Sequence, residues 1–229
     1  IGSAGRLSAG LPDAEALLLR GTWDYEGGNV LRLEALKENK FASQGGISGI
    51  GFVKVLSPDW SMAANLTLGR GGVNWASSRV DVEAAAKWGE TRNIVTRAGL
   101  YHARFEGDRS DRGLQLALVD YLNDALVLEA GILLNISEPG AVHSHMPFIS
   151  ATVGRNGHQY LSFRLSSGSE AYQAVDVNRQ LVDFNSQTFS LGWRRWVNPQ
   201  WGVILQAEHY RNPTYERNTL GAGVFRQWQ

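Results

Sequence analysis

Apolar and polar residues alternate one by one along most of this chain. In RVDVEAAAKW, Val80, Val82, Ala84, Ala86 and Trp88 share one face, while Arg79, Asp81, Glu83 and Lys87 share the other. Period two marks a β-strand whose two faces meet different surroundings. WSMAANLTLG opposes Trp60, Met62, Ala64, Leu66 and Leu68 to Ser61, Asn65 and Thr67. ALLLRGTWDY sets Leu17, Leu19 and Trp23 against Arg20 and Asp24, and ALVLEAGILLNI sets Leu128, Ala130, Ile132 and Leu134 against Glu129. YLSFRLS, QTFSLGWRR and WGVILQAEHY do the same, with Arg164, Arg194 and Glu208 on their polar faces. No stretch sustains a helical period. The pattern predicts strands near 16–25, 30–38, 47–56, 60–69, 79–88, 92–105, 112–122, 125–136, 147–155, 158–166, 187–197, 200–210 and 217–228.

The segments between these strands alternate in character. SPD, GET, ND, NG and NP are short turns, whose residues supply a positive or a fixed φ. Between them lie longer polar stretches: ENKFASQGG, RGGVNWASS, EGDRSD, SEPGAVHSHM, the segment 167–185 and RNPTYERN. Short on one side and long on the other is the habit of a transmembrane antiparallel up-and-down β-barrel, with short periplasmic turns and long extracellular loops. Such barrels take even strand numbers with both termini on the short-turn side. That asks for one more strand in GSAGRLSAG, followed by a loop at LPDAE, and so for about 14 strands with 12 as the fallback. Residues 1–229 then form a single outer-membrane domain.

On this reading the apolar faces meet lipid and the solvent is inside. The lumen receives Arg20, Asp24, Arg32, Glu34, Arg79, Asp81, Glu83, Lys87, Arg97, Glu129, Arg164, Arg194 and Glu208. Trp60, Trp88, Tyr121, Trp196 and Trp201 stand beside short turns; Trp23, Tyr25, Tyr101 and Tyr210 are assigned to the opposite strand ends. Two such sets predict two interfacial girdles.

Composition narrows the picture. Lys plus Arg equals Asp plus Glu at 22 each, so the basic footprint of a nucleic-acid binder is missing. With 0 cysteines there is neither a disulfide framework nor a thiolate metal site. The 26 glycines disfavour a helical protein, each interior glycine costing a helix roughly 1 kcal/mol. No apolar run reaches the roughly 18 residues of a spanning helix. No secretory segment is visible at Ile1, which leaves a cytoplasmic or an already processed chain.

Candidate chemistry is thin. His143 and His145 with Glu138 fall short of the four ligands that a stable zinc site needs, so solvated histidines are expected and no metal or cofactor. His102, His158 and His209, with Asp108, Ser110 and Asp111, hint at a rim enzyme, but no nucleophile sits in a recognisable frame. Lumen charges tune what a pore admits; equally, they make a wall of mutual ion pairs. The segment 167–185 is long enough to fold over the outer mouth or to remain a mobile loop.

The segments GHQYLSFRLSSGSEAYQ, FSLGWRRWVNPQWGVILQAEHYR and RNTLGAGVFRQW resemble the YaiO-type outer-membrane β-barrel family. The resemblance implies a bacterial outer-membrane barrel. Through related barrels that end some envelope proteins, it also implies a link to exported polysaccharide. It brings no catalytic residues. One departure is that Trp228 is followed by Gln229, where barrels usually finish on an aromatic residue. The expected function is a passive pore or envelope conduit, probed against two alternatives: a rim enzyme acting on lipid or glycan, and a closed structural barrel. Expected partners are outer-membrane lipid and lipopolysaccharide, with exported polysaccharide or periplasmic envelope proteins beyond them.

Overall fold

Fourteen antiparallel strands run in order and close on themselves. They are β1 (Gly2–Leu7), β2 (Ala14–Tyr25), β3 (Asn29–Lys40), β4 (Ser43–Val55), β5 (Trp60–Arg70), β6 (Ser78–Trp88) and β7 (Ile94–Arg104), then β8 (Ser110–Asn123), β9 (Leu126–Glu138), β10 (Val142–Arg155), β11 (Gln159–Asp176), β12 (Arg179–Trp196), β13 (Trp201–Arg211) and β14 (Glu216–Arg226). The structure is a computed structural model and describes residues 1–176 and 179–228. The strand expected in GSAGRLSAG is β1, which pairs with both β2 and β14 and so seals the wall.

Following the cross-strand partners once round the wall returns to β1 displaced by as many residues as there are strands. With ordinary strand spacing and rise, that shear gives a tilt of about 35° and a wall diameter of about 25 Å. Side chains reaching inward from both walls therefore narrow the bore without filling it.

The register keeps one apolar face outward on every strand. Leu33, Ile50, Leu66 and Val80 are successive partners across β3 to β6 and remain 41%, 49%, 42% and 48% exposed. On β14, Leu220 and Val224 reach 71% and 70%. A continuous apolar belt of this size is unsuited to water, so the hydrocarbon is outside and the polar face encloses the solvent. The described residues contain no helix long and apolar enough to cross a membrane, and β-strands do the crossing.

The structure departs from expectation in two ways. First, three of the six polar stretches expected as outer loops largely continue the ladder, while RGGVNWASS, EGDRSD and the middle of RNPTYERN remain loops. ENKFASQGG contributes to β3 and β4 around a turn at Phe41 and Ala42, and SEPGAVHSHM to β9 and β10 around residues 139–141. Outside the bilayer a polar strand still satisfies its backbone by pairing, so polarity alone does not end it. The longest hairpin, β11–β12, takes up most of 167–185; Val177 and Asn178, like Gln229, lie outside the described residues.

Second, the aromatic girdles are rearranged. Trp60, Trp88 and Trp201 face outward at the short-turn end, as expected. Trp23 and Tyr25 join them there, because β2 descends to the short turn at Glu26–Gly28. Tyr121 and Trp196 do not belong to the girdle. Tyr121 has the parity of Gln115 and Ala117 and lines the lumen. Trp196 has the parity of Arg194, is 8% exposed, and packs edge-on against Tyr160 and Phe225. Tyr101 and Tyr210 likewise point inward. Each was assigned by nearness to a strand end, whereas strand parity governs which face a ring occupies.

Candidate functional site

The lumen is the only large polar space among the described residues, and it is divided by height. The ladder places all thirteen predicted lumen charges on the inward face. Glu38, Lys40, Asp111, Glu170 and Arg217 accompany them; parity in their own strands marked them equally, but they fell in stretches read as loops.

Toward the outer end, most lumen cations have a carboxylate. Arg20 pairs with Glu34 at 3.1 Å, a cross-strand partner. Arg79 pairs with Asp81 at 2.6 Å and lies 4.1 Å from the ring centre of Tyr101, whose hydroxyl donates to Asn135 at 2.7 Å. Lys40 pairs with Glu38 at 3.1 Å, and the indole N–H of Trp75 donates to the same carboxylate at 3.2 Å. Arg217 pairs with Glu208 at 2.8 Å. A cavity of about 870 Å³ is lined by Arg20, Arg32, Glu34, Glu38, Lys40, Trp75, Arg79 and Asp81.

At the middle, Arg97 bridges Glu83 at 3.9 Å and Glu129, and Glu129 also accepts from the Ser150 hydroxyl at 3.3 Å. Below this girder the balance changes. A second cavity of about 860 Å³ is lined by the cations Arg32, Lys87, Arg92 and Arg97 and the acids Glu83 and Asp124. Arg32 lines both cavities, so the two meet at its guanidinium. Arg32, Lys87 and Arg194, and Arg164 just above the girder, have no carboxylate within ion-pair distance among the described residues. Arg164 instead lies 3.7 Å from the Phe148 ring centre, and Arg194 lies 3.9 Å from that of Phe225. Stacking of this kind orients a guanidinium while leaving its charge uncompensated.

Side chains pack together at the outer mouth. The β11–β12 hairpin leans across it, and Val175, 1% exposed, meets Phe41, Tyr210 and Tyr215, with Leu7, Leu11 and Leu181 around them. Phe41 and Tyr215 meet edge-on at 5.6 Å. Asn212 donates to Gln173 at 3.2 Å, Tyr210 donates to Glu170 at 2.9 Å, and on the other flank the Tyr172 hydroxyl donates to the Pro139 carbonyl. The hairpin is thus tied to turns on both sides of the rim. Phe41 and Ala42 turn with φ of 52° and 58°, a left-handed pair normally reserved for Asn-Gly. Packing of the Phe41 ring under Val175 offsets that strain, of order 1–3 kcal/mol per residue. Burial pushes the phenol of Tyr215 up to about 12 and lowers the pKa of Arg109 in the turn after β7.

The predicted rim chemistry is dispersed. His102 and His209 face outward near the outer end, while His158 sits in a turn at the opposite end. Asp111 turns inward from β8. His143 and His145 lie on the outward face of β10, where His145 contacts the Ser169 hydroxyl at 3.1 Å, and Glu138 accepts from the Ala141 amide. No group of three or more metal-binding side chains occurs among the described residues.

A closed, lipid-faced barrel with a charged, divided lumen defines a porin-like protein of the bacterial outer membrane. The chain belongs to the family of the YaiO membrane beta barrel domain, whose model matches residues 3–173. Of the three segments that carry the resemblance, only GHQYLSFRLSSGSEAYQ falls inside that match. No curated protein matches the sequence significantly. Among solved structures, an outer membrane channel from Pseudomonas putida F1 is similar at 12% identity and TM-score 0.58, covering 99% of this chain and 95% of that one. An anion-selective porin from Comamonas acidovorans gives 8%, 0.54, 99% and 97%. The KdgM porin in complex with disordered oligogalacturonate gives 8%, 0.51, 100% and 98%. At these identities the likeness is one of fold.

Proposed function

We propose that this barrel is a passive conduit for hydrophilic solutes, favouring anions, that opens when the β11–β12 hairpin lifts from the outer mouth. The observation that carries the reading is the pair of cavities meeting at Arg32, with uncompensated cations below and a packed hairpin above. Fixed charges in a narrow aqueous path act at close range and select by sign. Acidic saccharide is the solute class that best combines negative charge with a bore of this width. The oligogalacturonate held by the KdgM porin and the polysaccharide link of the family's resemblance lend this class support. Exported polysaccharide, or periplasmic proteins delivering it, would meet the cationic end first.

A planar bilayer tests the proposal. The purified barrel should give discrete conductance steps with anion preference, rising when the hairpin tip is removed. Absence of conductance in both forms would sink it. That result would favour the closed structural barrel, for which the apolar cluster at the mouth already argues.

A further inference from the structure

We propose that the outward face of β2–β5 holds a lipopolysaccharide molecule of the outer leaflet, its acyl chain in a groove and its phosphate between Lys37 and Arg70. This inference is independent of whether the lumen conducts.

The groove has a floor of small residues and apolar walls. Ala35, Gly46 and Ser48 form its floor on β3 and β4, Leu17 and Leu19 wall one side from β2, and Leu68 walls the other from β5; its volume is about 710 Å³. The three leucines are 52%, 63% and 56% exposed, so nothing in the chain covers the walls. That volume accommodates a fatty acyl chain. The absent side chain at Gly46 is enforced, because a Cβ there would stand 2.4 Å from the Leu36 carbonyl oxygen.

Two cations close the upper end. Lys37 pairs across the ladder with Gly46, and Gly46 with Arg70, so the two flank the groove from alternate strands. At ordinary strand spacing they stand about 10 Å apart, and their flexible side chains reach a phosphate between them. Neither has an ion-pair partner among the described residues.

Depth assigns the leaflet. β5 runs from Trp60, in the periplasmic girdle, to Arg70 over 11 residues. At the tilt of the wall that spans about 27 Å along the normal, close to the ~25 Å apolar band of such barrels. Lys37 and Arg70 therefore lie at the outer headgroup level, where the phosphates of lipopolysaccharide lie. Two other apolar grooves open on the lipid face. The one over Ala4, Leu205 and Leu220 has no charged lining residue, and the one over Ile149, Phe163 and Phe189 has no outward cation. Of these three grooves, the one at β2–β5 combines apolar area with outward cationic charge. A phosphate between an ammonium and a guanidinium makes charge-assisted hydrogen bonds, the strong kind in a poorly hydrated setting.

Native mass spectrometry of the detergent-solubilised barrel, titrated separately with lipopolysaccharide, phosphatidylglycerol and phosphatidylcholine, tests the site. One lipopolysaccharide should be retained in preference to either phospholipid. Lys37→Gln with Arg70→Gln should weaken it about tenfold, while Lys37→Arg should keep it. Ser48→Trp, which fills the groove and leaves both cations, should also weaken it; gel mobility before and after heating confirms that each variant is folded. Equal retention of phosphatidylglycerol would overturn the assignment to lipopolysaccharide. Unchanged affinity in both the charge-removed and the groove-filled variants would overturn the site itself.

Discussion

The two halves of the lumen are built from the same residue types and behave as opposites. Above Arg97 most lumen cations are matched by a carboxylate, and Val175, Phe41, Tyr210 and Tyr215 pack together at the mouth. Toward the periplasmic end, Arg32 and Lys87 line the second cavity without an ion-pair partner, Arg194 stacks on Phe225, and Glu83 and Asp124 are the acids of that cavity. Composition does not distinguish the halves; pairing does. A matched wall stiffens the barrel and is nearly neutral to a passing ion, while an unmatched one sets a field. On the proposed reading, the outer half would act as the closure and the periplasmic half as the filter.

The largest effect should come from abolishing the closure. Removing the hairpin tip, residues 172–181, takes away Val175, Leu181 and the Tyr172 tether together, and single-channel conductance should rise several-fold. An unchanged conductance would show that the hairpin does not close the bore. Val175→Asp should approach the same result, because a buried, unpaired carboxylate costs several kcal/mol. Val175→Ala should cost about 1–2 kcal/mol of docking. Trypsin cleavage at Arg179 in folded protein reports both, fastest for the aspartate.

The charge asymmetry gives the next effect. Replacing Arg32, Lys87 and Arg194 together by Gln should move the reversal potential in a salt gradient toward cation selectivity. Replacing the matched pair Arg20 and Glu34 by Gln removes no net charge and should leave it nearly where it was. A comparable shift from both sets would erase the distinction between the halves.

Alkaline pH tests the latch without mutation. Tyr215 is neutral in its buried site and its phenol is pushed up to about 12, against an ordinary value near 10. A pKa raised in the docked state stabilises docking fully below pH 10 and loses that contribution as pH climbs from 10 to 12. Trypsin sensitivity at Arg179 should therefore rise across that window, and Tyr215→Phe should lose most of this dependence. The smallest effect is expected at the exposed periplasmic pair of Arg92 and Asp59. Arg92→Gln should change stability by at most about 1 kcal/mol, read from the temperature at which gel mobility shifts.

Much of this was legible in the chain. Alternation in RVDVEAAAKW and WSMAANLTLG fixed which residues share a face, and strand parity with an even count placed β1 before any distance was known. Trp196 and Tyr121 were misread although the signal was present: Trp196 shares parity with Arg194, and Tyr121 with Gln115. Nearness to a turn was the weaker guide. The mouth was not legible. A Phe-Ala hairpin turn has no sequence signature, and nothing local announces that Phe41, Val175 and Tyr215 meet across a chain separation of well over a hundred residues.

The sequence by itself determined the two faces, because in a strand the side-chain direction follows from the peptide geometry of each residue and its neighbours alone. The tertiary structure decided which charges are paired, which cations remain free and where the mouth closes. Those depend on register and on contacts between distant turns, and period two is satisfied equally well by every register shifted two residues along.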